Sequence, residues 1–289
     1  MAEGPKKVVY AALAGNLAIA VTKFIAAGLT GSSAMLSEGV HSVVDTGNQA
    51  LLLYGMRRAQ VPPDERFPFG RGKEIYFWSF VVALLVFALG AGVSFYQGVH
   101  HLLHPAEVEH AVINYVVLAF AALFEAGTWL VAFRQFRAKA GERGYVEAVR
   151  RGKDPTDFAV LLEDSAALAG LAVAFVGVLA GQITGDARFD GAASVVIGLI
   201  LAATALWLAR ETKGLLIGES ANREVVAEIK RLADSYREIE RVNEVLTMHV
   251  GPEYILANTA STSPATYRAA ARTRSWMSST CASSRLTRV

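Results

Sequence analysis

The chain has 289 residues, of which 53% are hydrophobic and only 19% charged. Charged residues make up about a quarter of an ordinary soluble domain, and here the apolar residues lie in blocks that match the ~20 residues a membrane helix needs. The apolar content excludes a disordered chain. The single cysteine, Cys281, excludes a disulfide scaffold, and a net charge of +2 is too small to make nucleic acid the main partner.

Six apolar runs predict six membrane-spanning helices: Val8–Leu29, Ala34–Met56, Ile75–Leu103, Ala111–Phe133, Asp157–Gly181 and Phe189–Leu208. The first, after MAEGPKK, imitates a signal peptide, but its length of about 22 residues and the five spans behind it read as a retained helix. Its Asn16 and Lys23 face the bundle, and Lys23 is expected to snorkel or to pair with an acid.

Span two carries Glu38, His41, Asp45, Asn48 and Gln49. An ionisable residue deep in a span costs about 2.5–3.5 kcal/mol on insertion scales, so it needs a reason. His41, Asp45 and Asn48 stand at i, i+4 and i+7 and share one helix face. An imidazole and a carboxylate one turn apart suit a divalent transition ion such as zinc, and both titrate, which suits proton exchange. The bland alternative is a polar seam bonded to neighbouring helices. The two ionisable groups with amides on one stripe favour function.

In span three, His100, His101 and His104 cluster at the outer end and read as interfacial histidines rather than a metal landing site. Trp78, Tyr76, Tyr96 and Tyr115 read as interface aromatics. Span four buries Glu125, a proton carrier, a helix–helix hydrogen-bond donor or a ligand of lower rank than Asp164. Span five brings Asp157, Glu163 and Asp164 in DPTDFAVLLEDSAALAG. At 1.5 Å per residue, Asp45 lies near the middle of its span and Asp164 about 10–11 Å inside the cytoplasmic end of its own, so the two can approach a common level. Asp157, two turns below Asp164, reads as an interfacial cap or an entrance residue. Glu163 points about 100° away from Asp164.

Beyond span six, Asn222–Glu244 has the apolar spacing of an amphipathic soluble helix capped by Ser220 or Asn222. Val245–Asn258 reads as a strand pair or a long bent strand. The domain boundaries are therefore expected at 1–211 for the membrane part, 212–258 for a partial α/β domain and 259–289 for a tail. After Glu253 no acid occurs, while Arg268, Arg272, Arg274, Arg285 and Arg288 do, and without those five the net charge would be −3. The tail reads either as disordered and basic or as an out-of-frame C-terminus.

Lysine and arginine sit at the N-terminus (Lys6, Lys7) and in the loops after spans two and four. The opposite side carries only Arg188, so both termini are expected in the cytoplasm. No GxxxxGK[ST], strand-borne GxGxxG or HExxH motif occurs, and Ser42 beside His41 is too weak to carry an intramembrane enzyme.

With six spans, a His41-x-x-x-Asp45 pair led in by small residues from Ser33, the loop piece PFGRGK (Pro68 to Lys73) and the buried Asp164, the chain resembles the cation diffusion facilitator family over about residues 8–258. FPFGRGKEIYFW, GAGVSFYQG and VLLEDSAALAG resemble its zinc transporter 9-like branch. The resemblance implies an all-α membrane protein of six transmembrane helices with a ferredoxin-like cytoplasmic α/β domain, here truncated. It implies a homodimeric antiporter, not an enzyme, with no prosthetic group, that exports zinc or a related dication against protons. Carried over, His41, Asp45 and Asp164 fall on metal-ligand positions, with Glu163, Asn48, Glu125 and Asp157 as additional ligands or proton carriers. Where relatives have a fourth ligand this chain has Val160, which opens the site to manganese, iron or cobalt. Phe67 and Arg71 replace the loop histidines of many relatives. A bacterial inner membrane is the expected location. The competing reading is a non-transporting membrane scaffold whose acids only hold the bundle together.

Overall fold

A computed structural model describes residues 3–105, 110–140, 155–252, 254–262 and 287–288, with side chains for all of these but 3–15, 111, 135, 139–140, 156–157 and 287–288. The side chains of Lys6, Lys7 and Asp157, much of the loop after span four, Cys281 and most of the tail lie outside what is described.

Every predicted apolar run forms a helix. These are α1 (Glu3–Thr30), α2 (Ser33–Ala59), α3 (Glu74–Leu85), α4 (Gly92–Leu103), α5 (Ala111–Ala140), α6 (Pro155–Thr184) and α7 (Arg188–Ile217). Between α3 and α4 the helix continues as a π segment, Val86–Ala91, in which the Gly92 N–H reaches back to Phe87 O. Among the described residues four stretches are long and apolar enough to cross a membrane: Glu74–Leu103, Val112–Ala138, Phe158–Thr184 and Arg188–Ile217. Asn16–Thr30 is a shorter apolar stretch, and the acids and amides of α2 dilute its hydropathy. Large apolar side chains such as Leu123, Val176 and Leu206 stay exposed on the outer faces, as lipid contact requires. Glycines in the left-handed region end α1 at Gly31 and α6 at Gly185, where a Cβ would be strained.

The chain divides into two units, Met1–Arg57 with Ile75–Lys213, and Arg58–Glu74 with Gly214–Val289. In the first, one apolar cluster gathers Ala26, Met35, Leu118, Leu171 and Ile197, and a second gathers Leu52, Val82, Phe136, Phe158 and Leu208. Along α2 and α6 the acids and amides fall between the residues of these two clusters, so they form a polar layer inside an apolar bundle. Helices α4 and α7 touch backbone to backbone. A Cβ on Gly191 would lie 2.9 Å from Leu102 N, and one on Gly198 2.9 Å from Phe95 N, the close approach that small residues permit between membrane helices. Tyr76, expected at an interface, is instead fully buried. Its place on the inward stripe of α3 with Ile75 and Ser79 outweighs its interfacial preference.

In the second unit the loop after α2 is held by Asp64, which accepts the Phe67 N–H at 2.7 Å and Arg71 at 2.8 Å. Arg71 lies over the Phe67 ring, 4.3 Å from its centroid. Gly72 lies against Val250 so closely that a Cβ would meet its carbonyl. The soluble helix, α8, runs only Arg223–Asp234, so the predicted extent to Glu244 is too long. The chain turns after Asp234 and enters β1 (Arg241–Gly251), which pairs antiparallel with β2 (Tyr254–Thr262). Asn222 stands at the cap position but makes no side-chain capping bond, and Ser220 bonds Thr247, so neither predicted cap works through its side chain. The expected strand pair is present. Strand β2 runs past the predicted break at Thr259 to Thr262, because backbone pairing with Arg241–Val245 does not depend on acidic or apolar side chains. A short β3 (Thr287–Arg288) pairs with Tyr254 and Ile255.

Candidate metal centre

Four polar side chains of α2, Glu38, Ser42, Asn48 and Gln49, are tied to α1 or α6. Lys23 of α1 is wholly buried and donates to Glu38 Oε2 at 3.0 Å and to Ser42 Oγ at 2.8 Å. Of its two predicted fates it takes the second, pairing with an acid. Asn16 donates to Gln49 Oε1 at 3.0 Å, and Asn48 donates to Glu163 Oε1 of α6 at 3.2 Å. Each tie satisfies a polar group that would otherwise be stranded in an apolar bundle.

Asp45 and Asp164 are left differently. They line one cavity of about 10 Å³ together with Asn16, Ser42, Gln49, Glu125 and Thr128, which is room for roughly one water-sized sphere. Asp45 Oδ1 and Asp164 Oδ2 are buried without a hydrogen-bond partner among the described residues. Two carboxylate oxygens brought to one small cavity from helices more than a hundred residues apart present the hard acceptors that a dication takes. Glu125 reaches the same wall from α5.

His41 stands one turn earlier on α2. Its Nε2 lies 3.3 Å from Asp45 Oδ2, the ring is buried, and it does not line the cavity. Four residues of helix displace it about 6 Å along the axis, so it meets Asp45 from above and not through the cavity. Among the described residues no three His, Cys, Asp or Glu side chains are gathered closely enough to hold one ion. The three ligand positions are therefore not assembled in this conformation. Glu163 and Asn48 face one another outside the cavity wall. Val160 packs beside the apolar cluster of Leu52 and Phe158, where no ligand would sit.

A family model for the cation efflux transmembrane domain matches residues 9–217. The chain belongs to the cation efflux family. That family is one of transporters and not an enzyme class, and a membrane-spanning domain with apolar helices makes this an integral membrane protein. The match runs from within α1 to the end of α7 and so contains every residue of the cavity wall. Among relatives, the mitochondrial proton-coupled zinc antiporter SLC30A9 of Homo sapiens is 33% identical over 251 residues, 86% of this chain and 44% of the relative. Metal tolerance protein C4 of Arabidopsis thaliana is 30% identical over 86% of this chain and 54% of its own length. The manganese efflux system protein MneP of Bacillus subtilis is 22% identical over 83% of this chain and 78% of its own. The chain thus spans about half the length of the first two relatives.

Reading the sequence found Asp45, Asp164, Glu125, Asn16 and Gln49 as polar groups of the bundle, but it missed Thr128 in the cavity wall and the Glu38 partner of Lys23. The second had a signal: a lysine in mid-span requires an acid on a neighbouring helix, and Glu38 was at hand.

Proposed function

We propose that the chain exports a divalent transition-metal cation, zinc foremost, from the cytosol in exchange for protons by alternating access. In this reading α1, α2, the α3–α4 rod, α5, α6 and α7 form six spans with both termini cytoplasmic. The residues after about 211 begin a ferredoxin-like cytoplasmic domain, and two copies form the working dimer. The observation that carries the reading is the pair of buried, unpartnered carboxylate oxygens of Asp45 and Asp164 on one cavity. The family match and the names of the relatives, a zinc antiporter and a manganese efflux protein, support cation efflux as the activity.

From the cytosolic side, deprotonated Asp45 and Asp164 take the cation, and His41 joins from the adjacent turn. When the site opens outward, protons compete for the same carboxylates and imidazole. Metal affinity falls because ligands must be deprotonated to bind. Asn48 and Glu163 hold α2 against α6 while this occurs.

A pure scaffold would neutralise its buried acids with a permanent cation, as Lys23 does for Glu38. Among the described residues no lysine or arginine pairs with Asp45 or Asp164, and Asp45 has only the His41 imidazole at 3.3 Å. Reconstituted protein with an imposed pH gradient should move zinc, and Asp45→Asn or Asp164→Asn should abolish both metal movement and metal-dependent proton flux. Normal transport by either variant would refute the assignment. A correctly folded wild type with no metal affinity would favour the scaffold.

A further inference from the structure

Asp190 opens α7, yet its carboxylate serves another helix. Its Oδ2 accepts the N–H of Ser33 at 2.6 Å, the N–H of Ala34 at 3.3 Å and the Ser33 hydroxyl at 2.8 Å, while Oδ1 accepts the Ser32 hydroxyl at 2.5 Å. The first four N–H groups of a helix have no partner within it. At the start of α2 all four are satisfied: Ser32 N–H by Thr30 Oγ1, Ser33 and Ala34 by Asp190, and Met35 N–H by Ser32 Oγ. Two of those four bonds therefore come from a residue more than 150 positions away. The carboxylate is 1% exposed, and the helix start with its hydroxyls supplies what a buried anion needs.

The same end of α7 holds two further elements. One turn on, Ser194 bonds the Ser37 hydroxyl and the backbone carbonyls of Ser33 and Ser94. Gly191 packs against the α4 backbone, and His101 Nε2 of α4 stands 4.0 Å from Asp190 Oδ2. A Cβ on Gly177 of α6 would run into Ala193 Cβ, so α6 also lies hard against α7 here. Helix α7 is thus a common reference for α2, which carries His41 and Asp45, and for α6, which carries Asp164.

We infer that Asp190 is a positioning residue for the metal centre, clamping the start of α2 to α7 and thereby setting the depth and rotation at which Asp45 faces Asp164. A slip of one residue along α2 would turn its side chains by 100° and take Asp45 out of the cavity. This rests on the transport reading for its functional consequence but not for its geometry.

Asp190→Asn tests it, because a carboxamide keeps one acceptor oxygen and cannot take both the Ser32 hydroxyl and the two N–H groups. In a Cys281→Ser background, Asp45→Cys with Asp164→Cys reads the approach of α2 to α6 by disulfide crosslinking, whether or not the protein transports. The crosslinking rate should fall about tenfold when Asp190→Asn is added, and amide exchange should quicken at residues 33–35 while the rest of the bundle stays protected. In proteoliposomes, Asp190→Asn alone should raise the KM for zinc about tenfold, as loss of an outer supporting partner does, with little change in maximal rate. Asp190→Glu should recover part of it. Unchanged crosslinking and exchange would overturn the inference. So would exchange that quickens throughout the bundle with an unaltered KM in the folded fraction, since that marks a residue needed only for stability. A wild type that moves no zinc sinks the transport reading alone, and crosslinking then decides the clamp.

Discussion

Lys23 Nζ lies 3.0 Å from Glu38 Oε2, and neither side chain has any exposed surface. A buried pair of this kind gains little over an apolar pair of the same shape, but breaking it strands one charge. Lys23→Met should therefore destabilise the protein by about 3–5 kcal/mol. Lys23→Met with Glu38→Gln should recover roughly half or more of that loss, since no charge is then left unpaired. Thermal unfolding of the purified protein in detergent reads both, and a double variant no better than the single would show that the pair is not what the bundle depends on.

Glu163 and Asp164 are adjacent in the chain but face different partners, and their variants should separate. Glu163→Gln keeps an acceptor oxygen for Asn48 and should weaken metal affinity by about tenfold at most, as an outer partner does. Asp164→Asn removes an oxygen of the cavity and should leave no measurable transport. Calorimetric zinc titration beside a flux assay distinguishes them; equal losses would place both residues in the site.

Gly191 of α7 packs directly against the backbone of α4. An added methyl would lie 2.9 Å from Leu102 N and 3.1 Å from Gly98 O, and neither can swing away as a side chain could. Gly191→Ala should cost about 1–3 kcal/mol, the usual range for overpacking. A variant as stable as wild type would mean that the two helices part easily.

The loop 58–74 should loosen in acid. The Arg71 guanidinium, helped by the Phe67 N–H, holds the Asp64 carboxyl below the usual carboxylate range. Because the folded value is depressed, the stabilisation is complete above the ordinary value near pH 4 and is lost as pH falls through the folded value. The Phe67 amide should exchange slowly at about pH 6 and faster, relative to the intrinsic rate, below about pH 4. Asp64→Asn should remove the pH dependence, and a variant that keeps it would assign the effect elsewhere.

Much of this architecture was legible in the residues. Apolar runs predicted the helices from α1 to α7 to within a few residues for most ends, because burial in lipid demands an uninterrupted apolar stretch and glycines mark its limits. The polar stripe of α2 was equally plain, since helical periodicity alone puts residues 41, 45 and 48 on one face. The end of α8 was not. Tyr236 and Ile239 continue the apolar spacing past the point where the chain turns, and only pairing of β1 with β2 reveals that the segment from Arg241 is a strand.

Helical periodicity, then, determined which residues turn inward and at what depth, and composition determined that they do so within a bilayer. Which inward group meets which was decided only by the packed bundle. Asp45 meets Asp164 across a cavity, Lys23 takes Glu38, and Asp190 reaches back to the start of α2 because neighbouring helices settle at rotations set by glycines and small side chains. No spacing along one helix encodes the rotation of another that lies a hundred residues away.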